Sequence, residues 1–178
     1  MRHIIHFNFD KKTSHIVRDF WEKVGLEKDY PPHISLAVYT DSNEAHRDCL
    51  IEHVAAFSKS LTAFDFTFVG IGVFPTVTTQ ALYLTPRVTQ DLLYYHKNLH
   101  ILLSQEKTKC LDFYLPEKWV PHCTLADNIS NQDPVEDIAQ KAFELLTPIF
   151  PHTGKITSIE IKEISDNLRS IYKETLVS

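Results

Sequence analysis

Two short stretches, Pro32-His33-Ile34-Ser35-Leu36 and Pro121-His122-Cys123-Thr124-Leu125, decide how the rest of the chain is read. Each sets a histidine after a proline and then alternates apolar with polar side chains, the pattern of a strand with two unlike faces. Residues i and i+2 of a strand project to the same side. His33 and Ser35 therefore share one face, as do His122 and Thr124. Ile34, Leu36, Cys123 and Leu125 turn the other way, into a core.

Working outward, short β-prone runs predict further strands at 4–9, 64–74, 80–85, 155–164 and 169–177. The last two form a hairpin turned at Ser165-Asp166-Asn167. A helix capped by Thr13 or Ser14 places Val17, Phe20, Trp21 and Val24 on one face and stops at Gly25. A second, capped by Ser42 or Asn43, carries the stripe Leu50, Val54, Phe57, Leu61. A third spans 88–106 with Leu92, His96, Leu99 and Leu103. A fourth, capped by Asp133, turns Val135, Ile138, Ala139, Ala142, Leu145 and Ile149 inward.

The order repeats. His33 and His122 stand 89 residues apart, and each strand is followed by a polar turn, a helix, a long strand and a further strand. The same shift carries 64–74 onto 153–163 and 80–85 onto 169–174. Two such units bring their histidine strands face to face about a pseudo-twofold axis. The expected architecture is α+β: one bilobal domain over 1–178, with two antiparallel sheets flanking a central cleft and helices outside.

Composition narrows the function. The net charge of -5 argues against a long duplex as ligand, because phosphate-chain binders carry a basic footprint. Three cysteines without a CxxC pair suggest reduced thiols, and no apolar run reaches the roughly 20 residues of a membrane span. A cytoplasmic protein without membrane contact is expected.

Two imidazoles and two hydroxyls around one pocket suit a phosphodiester. One imidazole takes a proton from the nucleophile and the other gives one to the leaving oxygen. The hydroxyls hold non-bridging oxygens, and an imidazolium already offsets phosphate charge, so no metal or other cofactor is required.

At these residues the chain resembles the 2H phosphoesterase superfamily, which includes 2′-5′ RNA ligase-like proteins and cyclic phosphodiesterases. Its signature is two copies of His, any residue, Ser or Thr, then an apolar residue. The runs Glu117-Lys118-Trp119-Val120-Pro121 and Gly72-Val73-Phe74-Pro75, followed by Ala81-Leu82-Tyr83-Leu84, look like the RNA ligase-like branch. The resemblance implies catalysis by His33 and His122, phosphate binding by Ser35 and Thr124, and a 2′,3′-cyclic phosphate or 2′-5′ linkage as substrate. By similarity to the cyclic phosphodiesterases, His122 is the general base on water and His33 the general acid. The partner is then a nucleotide or short RNA end, met by a monomer. The alternative is a nucleotide or RNA-end binding module with little turnover.

His6, Tyr39, Phe74, Tyr83 and Arg87 are secondary candidates for substrate contact, with Arg2 beside Arg87 for a second phosphate. His96 and His100 have metal-ligand spacing but no third ligand near, and read better as structural histidines. Cys123, turned away from His122, reads as a small core residue.

Overall fold

The computed structural model describes residues 1–40, 43–75, 78–130, 135–165 and 168–177. In chain order the elements are β1 (Arg2–Phe9), α1 (Lys11–Lys23), β2 (His33–Tyr39), α2 (Glu44–Ser58), β3 (Phe64–Pro75), β4 (Thr79–Pro86), α3 (Gln90–Leu102), β5 (Cys123–Ser130), α4 (Val135–Leu146), β6 (His152–Ile164) and β7 (Leu168–Thr175). Short 3-10 turns lie at Ser104–Lys109, Asp112–Tyr114 and Thr147–Ile149.

Local chemistry sets the helix ends. Asp10, rather than Thr13 or Ser14, caps α1: its carboxylate accepts from the Thr13 backbone N–H at 2.9 Å and the Thr13 hydroxyl at 2.8 Å. The same carboxylate accepts from the Lys155 N–H at 2.7 Å, so the cap also ties α1 to β6. Gly25, at φ 72°, takes the left-handed conformation that ends the helix. Asn43 caps α2, while Ser42, Asp133 and the expected turn residues Asp166 and Asn167 lie outside the described residues. The helix expected over 88–106 is shorter: Thr89 caps it, it ends at Leu102, and the chain tightens into a 3-10 turn. Ile149 is not inward; it follows Pro148 in a 3-10 turn and is 40% exposed.

Antiparallel strands follow the path β2-β1-β6-β3-β4-β5, with β7 paired to β6. Its two arms, β2-β1-β6 and β5-β4-β3, join where Phe64–Phe68 of β3 runs against His152–Ile156 of β6. Past that junction β6 continues between β1 and β7, and β3 continues along β4. The two sheets expected from the sequence are thus hydrogen-bonded into one seven-stranded sheet, with β2 and β5 at its outer ends.

The repeat is arranged differently from the 89-residue shift. β4 lies between β3 and β5 as β1 lies between β6 and β2. The equivalent units are therefore β1-α1-β2-α2-β3 and β4-α3-β5-α4-β6, and β7 has no counterpart. Matching β4 to β7 aligned two hairpin partners that occupy different places in the sheet. A constant sequence offset cannot follow a unit whose connections differ in length.

The inward residues of both histidine strands are buried as expected, with Ile34, Leu36 and Leu125 at 0% exposure. Ile5, Phe7, Val17, Phe20, Leu50 and Val54 belong to the same core cluster. Each such side chain contributes about 1.5–3 kcal/mol relative to exposure. Among the described residues no helix is long and apolar enough to cross a membrane.

Candidate active site

β2 and β5 are the end strands of the two arms, and their histidine faces look into one cleft of about 470 Å³. His33, Ser35, His122 and Thr124 all line it. Side chains occupy carbonyls along both strands instead of a ladder. The Trp119 indole donates to Ser35 O at 3.0 Å and the Trp21 indole to Leu125 O at 2.8 Å. His96 and His100 each place Nε2 on Leu36 O, at 3.0 and 3.1 Å. Satisfying buried carbonyls this way lets the strands stand beside each other with space between.

Both histidines are held alike. His33 Nδ1 lies 2.8 Å from Pro31 O, and His122 Nδ1 lies 2.8 Å from Val120 O. A carbonyl only accepts, so each neutral ring carries its proton on Nδ1 and leaves the Nε2 lone pair free. The proline between carbonyl and histidine restricts the backbone there, which is its use in both motifs. Burial pushes the His33 imidazole down to about 4 against the Pro31 carbonyl, which favours the proton. Burial also lowers His122. Neither shift could be read from the motifs, because desolvation depends on what surrounds the ring.

The two histidines have unlike neighbours. His6 pairs with Ser35 in register, and its ring centroid is 4.6 Å from that of His33. At the equivalent place Tyr83 pairs with Thr124, and it packs on His122 with centroids 5.5 Å apart. Phe74 stacks on Tyr83 at 4.0 Å and meets the His122 ring edge-on at 4.9 Å. Gly72, opposite Tyr83, makes room for this: a Cβ there would come within 2.5 Å of Tyr83 Cζ. Gly72→Ala should displace Tyr83, loosen His122 and lower turnover about tenfold or more in protein that still unfolds cooperatively, with a lowered melting temperature. An unchanged rate would show that the Tyr83 ring does not position His122.

Of the secondary candidates, His6 lines the cleft, and Phe74 lines an adjoining pocket of about 340 Å³ with Ala81, Trp119 and Val120. Tyr39 does not reach the cleft: it is fully buried against His46, because the register shift opposite Ile5 and His6 exchanges the faces of β2 and leaves Val38 to line the cleft. Arg87 is exposed just past β4 and is not among the cleft-lining residues; its backbone N–H donates to Thr67 O. Cys123 is buried, which drives its thiol up to about 12. His96 stacks on Trp119 at 3.7 Å, a packing role.

The sequence missed several lining residues. Phe113 and Tyr114 border both cavities, on the side of the cleft that Ser35 also lines. Their only sequence signal is an aromatic pair in a loop leading to the second motif. Lys162 joins Arg2 on the His33 side of the cleft. Asp127, also lining it, is paired with Lys28. Among the described residues no three His, Cys, Asp or Glu side chains are grouped as metal ligands.

An antiparallel sheet whose end strands each offer a histidine and a hydroxyl to one cleft is the layout of a 2H phosphoesterase. The family model for the 2′-5′ RNA ligase superfamily matches residues 18–163, and the chain belongs to that family. Among solved structures, TT0787 of Thermus thermophilus is similar at TM-score 0.67 and 15% identity, covering 99% of this chain and 98% of that one. E. coli LigT complexed with 3′-AMP is similar at TM-score 0.62 and 11% identity, with 99% and 98% covered. E. coli LigT complexed with NADP+ follows at 0.60 and 13%, with the same coverage. At these identities the likeness speaks for the fold. No curated protein matches the chain.

Proposed function

We propose that the protein is a metal-independent phosphodiesterase acting on a 2′,3′-cyclic phosphate or 2′-5′ linkage of a nucleotide or RNA end. The observation that carries this is the matched pair of Nδ1–carbonyl bonds, which leaves a free Nε2 on each ring beside a hydroxyl in one cleft. In hydrolysis of a cyclic phosphate, His122 Nε2 takes a proton from water as the water oxygen attacks phosphorus. His33 Nε2–H gives its proton to the departing ribose oxygen, and a monophosphate results. Ser35 and Thr124 donate to the non-bridging oxygens. The phosphate anion beside His33 favours its protonated form, offsetting the burial that keeps it neutral in the free cleft, while His122 stays neutral until it takes the proton from water. The reverse direction, ligation, would exchange the two roles.

The adjoining pocket suits a nucleobase. Phe74, Phe113, Tyr114 and Trp119 give it aromatic walls, and stacking accepts any base. That LigT was solved with 3′-AMP and with NADP+ supports a nucleotide for this cleft as well. A monomer acting in the cytoplasm without a cofactor completes the reading.

The test is a panel of 2′,3′-cyclic nucleotides and 2′-5′ oligonucleotides, assayed with and without a chelator. Turnover that the chelator leaves unchanged is the expected result. Tight binding without product would favour a binding module instead, and loss of activity with chelator would favour a metal hydrolase.

A further inference from the structure

Behind His33 lies a buried polar cluster that the two-histidine mechanism leaves unused. His6 is 1% exposed, and neither of its ring nitrogens makes a hydrogen bond of good geometry. Its Nε2 stands 3.9 Å from Oε2 of Glu160, which is itself only 4% exposed. That oxygen accepts from the Asn8 amide at 2.8 Å, and the same amide reaches Ser158 Oγ at 3.1 Å. Strand register builds the group, since His6 pairs with Glu160 and Asn8 with Ser158. A poorly bonded imidazole and a buried carboxylate both cost stability, so a core chosen for stability alone would place apolar side chains here.

The cost is explained by what His33 must do. A buried imidazole resists taking a proton, yet a general acid must hold one. Glu160 is the negative group on this side, separated from His33 by the His6 ring, which fills the gap and keeps water from screening it. Asp127, the other carboxylate lining the cleft, is paired with Lys28, and the remaining groups facing His33 and His6 oppose protonation or are neutral. Lys162 lies on β6, Lys173 lies opposite Glu160 on β7, His122 faces across the cleft, and Tyr30 packs on the outer side of His33. At His122 the corresponding strand positions hold Tyr83 and Gly72, with no carboxylate.

We propose that Glu160, acting through the buried ring of His6, is a positioning residue that holds the catalytic proton on His33 and so fixes His33 as the acid. The proposal rests on the phosphodiesterase reading for its meaning, but its first test does not need turnover.

That test is a histidine-imidazole NMR titration of the full chain, wild type against Glu160→Gln, with saturating inorganic phosphate, which raises the His33 titration toward the pH range in which the chain stays folded. Gln keeps the acceptor for Asn8 and removes only the charge. The His33 titration should move down by about one pH unit in Glu160→Gln, while Glu160→Asp, which retains the charge, should restore most of it. Should Glu160→Gln fail to fold, Glu160→Asp still decides, because drawing the charge back by one methylene must shift His33 downward by a smaller amount. With 2′,3′-cyclic AMP, the fall of kcat toward high pH should also begin about one unit lower in Glu160→Gln, with KM unchanged. A His33 titration that stays put or rises overturns the proposal. So does a Glu160→Gln variant that alters KM alone. Absence of cyclic-nucleotide turnover in the wild type would instead count against the phosphodiesterase reading and leave the titration to decide the role of Glu160.

Discussion

His122→Ala should lower kcat for a 2′,3′-cyclic nucleotide by about 10³-fold, and His33→Ala by a similar factor. The two act in one step, so the double variant should be scarcely slower than either single one. Ser35→Ala and Thr124→Val should each lose about 10- to 100-fold, because each removes one donor to a non-bridging oxygen. Near-equal losses at Ser35 and Thr124 are the mark of a pseudo-symmetric cradle. Wild-type rates in both histidine variants, on a substrate that the wild type hydrolyses, would end the acid/base mechanism. Strict additivity in the double variant would show that the rings serve separate steps.

The second large effect concerns stability. Burial lowers the affinity for protons of His33, His96 and His122, and of His3, His6, His46 and His152 as well. The unfolded chain takes up these protons near pH 6.5, whereas the folded chain resists. The unfolded state therefore binds more protons below that pH, and stability falls as the pH drops. The contribution is fully present above about pH 6.5 and is lost toward the folded values, about 4 for His33 and about 3 for His96. Each such histidine costs about 1.4 kcal/mol per pH unit over its window. Several acting together approach the whole stability of a typical domain, about 5–15 kcal/mol. Urea unfolding at pH 7.5, 6 and 5 should show the midpoint falling steeply below pH 6.5. A flat midpoint over that range would mean the histidines are hydrated in the folded chain. His96→Gln should blunt the slope, since Gln can still donate to Leu36 O and does not titrate.

Much of this protein could be read from short stretches. The His33 and His122 motifs announce their own faces, because side-chain alternation in a strand needs no knowledge of neighbours. Leu50, Val54 and Phe57 announce the buried stripe of α2 by spacing alone, and Asn43 its cap. The choice of Asp10 over Thr13 at the start of α1 needed the fold, since that carboxylate also serves Lys155. The overreach of α3 to Glu106 has the same origin: helix periodicity continues, but the chain must tighten there into a 3-10 turn.

Sequence by itself determined the two motifs, their hydroxyls, the inward turn of Cys123 and the α+β plan, because each follows from contacts within a few residues. Only the tertiary structure decided that β4 stands in the place of β1, that Trp119 and Trp21 bond to the strands of the opposite motifs, and that Tyr39 belongs to the core. It also decided that His6 and Glu160 meet behind His33 while Tyr83 lies on Gly72 beside His122. Those pairings join residues far apart in the chain, and strand register across such separations leaves no periodic trace in the sequence. The asymmetry between the surroundings of the two histidines is therefore a property of the folded sheet.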